Sequence, residues 1–150
     1  MRLRARRLGY RLAMIGGLGA ALTLSTTGTA QAAISDLAYA SNTYAYAGMS
    51  FYWNSSWQIT GANLIVADWE CDGHQALGKV KVLYTNGTSR TYGDYYDGSG
   101  CDLGDNTNHY LGTISAPCCT NIQAVKTIAC GDYWPWDICA EGGWVDNPYS

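Results

Sequence analysis

The dipeptide Asn86-Gly87 lies between two β-rich runs and constrains the fold more than any other short feature of the chain. Asn-Gly is typical of a type I′ hairpin turn, because both central residues of that turn take positive φ. A two-residue turn fixes the register, which would place Lys79 opposite Asp94 as a favourable cross-strand pair. The same register gives an inward apolar stripe, composed of Val80, Val82 and Tyr84. The sequence therefore predicts an antiparallel hairpin here.

Other runs also favour strands over helices. Residues 63–71 alternate in polarity and are followed by the turn dipeptide Asp72-Gly73 and by the run 74–84. Together with the hairpin, these runs predict an antiparallel meander of three strands. We further expect one or two strands in 39–53, a long loop in 93–108, a short strand in 109–115 and a strand in 122–130. The predicted fold class is all-β, a small antiparallel β-sandwich or a partly open barrel.

The first 32 residues have the order of a secretory signal peptide. Five of the nine basic residues fall in the first eleven positions, an apolar run follows from Leu12 to Leu24, and Ala30-Gln31-Ala32 has the pattern of a cleavage site. We therefore expect a signal peptide over 1–32 and a single secreted domain over 33–150, a suitable size for one domain. The arginine-based, Ala- and Gly-rich signal favours a bacterial origin. The predicted location is extracellular, with association with the cell wall left open.

The charge balance excludes several classes of partner. All twelve acidic residues but only four basic ones follow residue 32, so the net charge changes from −3 for the whole chain to −8 for this part. Such a charge repels phosphate backbones and anionic lipid surfaces. No run after residue 32 approaches the ~18 apolar residues that a membrane-spanning helix needs. We expect neither a nucleic-acid partner nor a membrane partner after removal of the signal.

All six cysteines follow the predicted signal, at Cys71, Cys101, Cys118, Cys119, Cys130 and Cys139. In an exported chain they predict about three disulfides. A bond between the neighbours Cys118 and Cys119 would distort the peptide that joins them, so we expect each to bond a different partner among the other four. Cys-x-x-Cys pairs are absent, which disfavours structural zinc.

Aromatic residues are abundant and form two clusters after residue 32. One contains Phe51-Tyr52-Trp53 with Trp57, and the other contains residues 133–136 with Trp144. Successive side chains on a strand point to opposite faces, so some of these rings must be exposed, where Trp and Tyr favour protein or sugar contacts. The predicted contact surface consists of Tyr133, Trp134, Trp136 and Trp144. The alternative is that Trp134 and Trp136 cap one end of the core.

Catalytic and metal-binding patterns are weak. The Asp- and Asn-rich run 93–108 lacks the spacing of a calcium loop. His74 and His109 are the obvious general bases, with Asp72 and Asp105 as carboxylate partners, but no G-x-S-x-G nucleophile motif occurs. We therefore predict no catalytic residue, no metal and no cofactor.

These patterns favour an extracellular, non-enzymatic binding domain. Its aromatic surface would engage either another protein, for example by inhibiting an exogenous enzyme, or a polysaccharide. Two alternatives stay open: a small secreted hydrolase that uses a His/carboxylate pair, and a structural protein of the cell envelope.

Overall fold

The computed structural model describes residues 32–70, 72–99, 105–133 and 135–150, which contain nine β-strands and no helix. The strands are β1 (Ile34–Ser41), β2 (Ala45–Ser55), β3 (Gln58–Asp68), β4 (Ala76–Tyr84), β5 (Ser89–Tyr96), β6 (Thr107–Ser115), β7 (Ile122–Gly131), β8 (Ile138–Glu141) and β9 (Val145–Asp146). No helix that could cross a membrane occurs in the described ranges. The predicted signal peptide lies outside them except for its last residue.

The strands form two antiparallel sheets. Sheet A has the order β1-β2-β3-β6, and sheet B has the order β5-β4-β7-β8, with β9 also pairing with β7. This arrangement confirms the predicted all-β class. The inward faces of both sheets share one hydrophobic core. Its largest fully buried side chains include Trp53, Phe51, Met49, Ile59, Leu64, Ile122, Val66, Val80 and Val82.

The aromatic run of β2 follows the expected alternation. Phe51 and Trp53 are buried and meet edge to face with ring centroids 5.0 Å apart, whereas Tyr52 between them is exposed. The indole Nε1 of Trp53 donates to Asp36 at 3.2 Å. The buried donor therefore has its partner, as an indole N–H in a core requires.

The hairpin between β4 and β5 forms, but its predicted register is wrong. Tyr84 N–H donates to Thr88 O and Gly87 N–H donates to Tyr84 O, which encloses three residues instead of two. Gly87 has φ +82°, whereas Asn86 is not among the residues with positive φ, so the turn is not type I′. In the predicted register, which places Lys79 opposite Asp94, Val80 would pair with Gly93, whereas in the structure it pairs with Tyr92.

A bulge between the Gly78–Tyr95 and Val80–Tyr92 pairs restores the predicted offset further along the hairpin. Lys79 consequently comes next to Asp94, and Nζ lies 2.8 Å from Oδ1. The predicted ion pair is thus confirmed. So is the inward stripe of β4, since Val80, Val82 and Tyr84 are buried.

The predicted three-stranded meander is wrong because β3 and β4 belong to different sheets. β3 pairs with β2 and β6, and β4 pairs with β5 and β7. The chain leaves sheet A after Asp68 and enters sheet B at Ala76. The stripes Leu64/Val66 and Val80/Val82 therefore face each other across the core. Alternation of polarity shows which residues point inward. The pattern is the same whether two strands pair in one sheet or face each other from two sheets, so it does not distinguish these arrangements.

The remaining strand predictions agree with the structure. Residues 39–53 contain parts of β1 and β2, 109–115 lies within β6, and 122–130 lies within β7. The expected loop 93–108 is shorter than predicted, because β5 continues to Tyr96 and β6 begins at Thr107. Residues 100–104 of that loop lie outside the described ranges.

One disulfide is present among the described residues, between Cys130 and Cys139 on the paired strands β7 and β8. This bond removes Cys130 and Cys139 from the four predicted partners of Cys118 and Cys119, and the prediction of partners among the other two stays a prediction. Cys118 and Cys119 are exposed in the segment between β6 and β7, and neither is bonded to Cys130 or Cys139. Cys71 and Cys101 lie outside it.

Candidate binding surface

The outward-facing side of sheet A carries no charged side chain. Burial alternates along β1, β2, β3 and β6, so the outward positions follow from their burial patterns. They include Ser35, Leu37, Tyr39, Ser41, Tyr46, Ser50, Tyr52, Asn54, Thr60, Asn63, Ile65, Ala67, Asn108, Tyr110, Thr113 and Ser115. We call this surface the neutral face. Asp36, Asp68 and His109 also lie on these strands. Their positions alternate with the outward ones, so they are on the same side of the sheet as the inward side chains.

Tyrosine rings on the neutral face lie beside glycines, in the pairs Tyr46–Gly48, Tyr52–Gly61 and Tyr110–Gly112. A β-carbon at Gly48 would lie 2.8 Å from Cζ of Tyr46, and one at Gly61 would lie 3.2 Å from Cδ2 of Tyr52. Because glycine has no side chain, each ring can rest against the sheet instead of projecting from it. The arrangement leaves ring faces open to solvent, most of all at Tyr110, which is 78% exposed.

The Tyr46 ring also stacks on Trp69, with centroids 5.7 Å apart and an interplanar angle of 16°. The stacked pair forms one wall of a cavity of about 310 Å³ at the end of the neutral face. The other lining residues are Ile65, Ala67, Asp68, Asp105 and Asn106. This cavity therefore combines aromatic faces with carboxylate and amide groups that can accept or donate hydrogen bonds.

In contrast to the neutral face, the outward side of sheet B carries charged side chains that form ion pairs. Lys79 pairs with Asp94, and Lys81 Nζ lies 3.8 Å from Glu141 Oε1. Lys126 makes a closer contact with the same glutamate. The hydrogen bond to Asp94 raises the pKa of Lys79, and the bond from Lys126 lowers the pKa of Glu141. All four basic residues that follow the predicted signal lie on strands of sheet B.

Of the sequence-predicted contact residues, Tyr133 is engaged within the protein. Its ring stacks on His74 with centroids 4.2 Å apart and meets the edge of Tyr44 at 4.9 Å. Its hydroxyl donates to Asp72, which raises the pKa of Tyr133 and lowers that of Asp72. Both the ring and the hydroxyl therefore already have partners.

The other predicted contact residues are in different surroundings. Trp144 lies beneath the ammonium group of Lys126, with Nζ 4.4 Å from the ring centroid. Trp136 is 80% exposed. Trp134 lies outside the described residues. No aromatic pair in the described ranges joins Tyr133, Trp136 and Trp144, so their role as one contact surface stays a prediction.

Both histidines are oriented by backbone carbonyls. His74 Nδ1 lies 3.0 Å from Asp132 O, and His109 Nε2 lies 2.9 Å from Tyr96 O. A carbonyl only accepts, so in each contact the ring N–H donates. Neither histidine lines the 310 Å³ cavity. The hydrolase alternative stays a prediction.

Asp97 of the Asp- and Asn-rich run joins neighbouring strands through the hydrogen bonds of its carboxylate. Its carboxylate is buried and accepts hydrogen bonds from Asp68 N–H, Ser99 N–H, Ser99 Oγ and Thr107 Oγ1 at 2.6–3.0 Å. Burial alone would raise the pKa of Asp97, but the bonds from Ser99 and Thr107 outweigh it and hold this pKa below its usual value. The carboxylate thus ties the end of β5 to β3 and β6.

The tyrosines of the neutral face are not among the contact residues predicted from the sequence. A local signal for two of them exists in the spacing Tyr-x-Gly, at Tyr46-Ala47-Gly48 and at Tyr110-Leu111-Gly112. On a strand, residues two apart point to the same face, so this spacing places a ring beside a position without a side chain. The Tyr52–Gly61 pair has no such signal, because it forms between two strands.

No family model, no curated protein and no solved structure matches the chain.

Proposed function

We propose that the protein is an extracellular, non-enzymatic binding domain whose neutral face binds an uncharged polysaccharide. The observation that carries this proposal is the set of tyrosine rings resting on glycines across a sheet surface without charge. Flat, solvent-facing rings suit ligands that stack, because the negative face of the ring attracts the polarised C–H groups of a sugar.

Hydrogen-bonding groups surround these rings. Asn63 Nδ2 donates to Asn108 Oδ1 at 3.1 Å, which orders two amides between the strands while leaving further donors and acceptors for a ligand. The serines and threonines at outward positions add hydroxyls that can either donate or accept. Hydroxyl-rich sugars need this combination of stacking and mixed polar contacts.

The extent of the neutral face favours a polymer over a single sugar. Tyr39 lies on β1 and Tyr110 lies on β6, at opposite edges of the four-stranded sheet. Three interstrand spacings separate these edges, which is about 14 Å. The cavity beside Trp69 extends the surface beyond the strands.

The test is binding of the purified secreted protein to a panel of insoluble neutral polysaccharides, with Tyr39→Ala/Tyr110→Ala as the main variant. Each exposed ring is expected to contribute about 0.5–1.5 kcal/mol, so the double variant should bind roughly tenfold more weakly. Both rings are exposed, so its melting temperature should change little.

Tyr96→Ala is the matched control, since Tyr96 is an exposed tyrosine on β5 of sheet B. Wild-type affinity is expected for that variant. The outcome that contradicts the proposal is unchanged binding in the double variant, or an absence of binding to every neutral polymer tested. Loss of binding in Trp136→Ala alone would instead support the predicted C-terminal aromatic surface.

A protein partner is the second candidate, and the composition of the neutral face favours it. Tyr, Ser, Asn and Gly are the residues that antibody paratopes use, because they combine rigid rings with adaptable hydrogen bonds. Capture of a defined protein that the Tyr39/Tyr110 double variant fails to capture would support this candidate. The hydrolase and cell-envelope alternatives stay predictions.

A further inference from the structure

Cys118 and Cys119 lie in the turn between β6 and β7, at the surface. Their Sγ atoms are 2.7 Å apart. This separation is closer to a covalent sulfur–sulfur bond than to the contact distance of two unbonded sulfur atoms. Cys130 and Cys139, the other cysteines in the described ranges, are bonded to each other. The side chains of Cys118 and Cys119 are therefore paired in space with one another.

The backbone of the turn accommodates this pairing. Cys119 has φ +70° and is the one residue other than glycine with positive φ in the described part of the chain. Such a conformation is uncommon for a residue with a side chain and persists where the surrounding structure holds it. The expectation that adjacent cysteines avoid each other assumed an ordinary backbone at this position.

Hydrogen bonds on both sides fix the turn. Before the cysteines, Ala116 N–H donates to Trp57 O at 2.8 Å, and after them Ile122 N–H donates to Ser56 O at 2.8 Å. Asn121 O also accepts a hydrogen bond from the hairpin turn of sheet B. The cysteine pair is thus held against both sheets, so the fold determines the geometry of the pair.

We propose that Cys118 and Cys119 form a vicinal disulfide, and that this exposed pair is a redox site for a partner of the thiol–disulfide exchange class. To form the bond, the thiolate of one cysteine attacks the partner's disulfide and gives a mixed disulfide. The second thiolate then attacks the cysteine sulfur of that mixed disulfide and displaces the partner as a dithiol. The two thiol protons end on the partner's sulfurs, so two cysteine thiols are oxidised and one partner disulfide is reduced.

Access favours this pair over the other disulfide. Cys118 and Cys119 line an open groove of about 420 Å³, together with the exposed ring of Trp57. In the other disulfide Cys130 is fully buried and Cys139 is exposed, so that bond presents one sulfur to an attacking thiolate, whereas the turn presents two. Exchange needs an approach to sulfur, so mild reduction should open the vicinal bond before the Cys130–Cys139 bond.

Peptide mapping tests the bond directly. Cleavage before Asp105 and after Lys126 releases peptide 105–126, which contains Cys118 and Cys119 and no other cysteine. Without reduction, this peptide should resist alkylation and have a mass two hydrogens below that of its dithiol form. Alkylation of both thiols without reductant would overturn the proposal. So would a cross-link between this peptide and one that contains Cys71 or Cys101.

Two further measurements complete the test. As reductant is increased, peptide 105–126 should become alkylated before the peptides with Cys130 and Cys139, and the reverse order would overturn the redox assignment. In Cys118→Ser, Cys119 should become fully labelled, whereas an unlabelled Cys119 would show a different partner. The proposal does not depend on the neutral face, so this variant should keep any polysaccharide binding.

Discussion

At the scale of single residues, Gly78 shows how little room the interface between the two sheets leaves. It lies on β4 with its α-carbon against sheet A, and a β-carbon there would lie 2.7 Å from Cγ2 of Val66 and 3.2 Å from Cβ of Ala47. Both neighbours are buried, so neither can move into solvent. A close-packed core resists even one added methyl group.

Gly78→Ala should therefore lower the free energy of unfolding by about 1–3 kcal/mol, measured by urea denaturation. Gly143→Ala is the control, because a β-carbon at Gly143 would meet no atom within 4 Å. We expect that change to alter stability by less than about 0.5 kcal/mol. Equal effects of the two substitutions would show that the sheets do not approach closely at Gly78.

The sequence predicts the residues of the core better than it predicts this glycine. Alternation identified Val80 and Val82 as inward residues, and both are buried. Gly78 continues the same stripe, but its close contacts come from β2 and β3, which are in the other sheet. Such contacts depend on how the sheets pack, and no local pattern encodes that.

At the scale of strands, Asp97 connects the two sheets through hydrogen bonds that favour its ionised form. Its pKa is below the usual 3.8, so the folded state holds the proton less tightly than the unfolded chain does. The stabilisation by Asp97 is therefore fully present above about pH 4 and is lost as the pH falls from there through the folded-state pKa.

Asp97→Asn tests this linkage. An asparagine has one side-chain acceptor oxygen where the carboxylate has two, so the variant should be less stable than wild type at pH 7, by about 1–3 kcal/mol. Below pH 4 the difference should shrink, as wild-type Asp97 becomes protonated. Urea unfolding between pH 7 and pH 2.5 measures both effects. A constant difference across this range would contradict the assignment.

The existence of most strands could be predicted, but their partition between sheets could not. The meander expected for β3, β4 and β5 is wrong because β3 ends at Asp68 in sheet A and β4 begins at Ala76 in sheet B. The predicted hairpin register is wrong by one residue, because the turn that contains Asn86-Gly87 encloses three residues instead of two. In both cases the local residues allow more than one connection, and packing of the core selects among them.

At the scale of the whole molecule, charge is divided between the two outer faces. The lysines and their carboxylate partners lie on sheet B, while the outward positions of sheet A are uncharged. The net charge of −8 after residue 32 does not indicate this division, since a sum of charges does not show where on the surface they lie. The division means that each face responds differently to salt, because screening acts on charges and leaves ring stacking almost unchanged.

Binding to the neutral face should therefore be nearly independent of ionic strength. Between about 0.05 and 0.5 M NaCl the Debye length falls from roughly 14 Å to 4 Å, so a ligand held by sheet B charges would dissociate. For a neutral polysaccharide on sheet A, we expect the Kd to change by less than about twofold. The Tyr39→Ala/Tyr110→Ala variant should be weaker by the same factor at both concentrations. A steep loss of affinity with salt would instead place the ligand against the lysines of sheet B, and it would remove the neutral face as the site of binding.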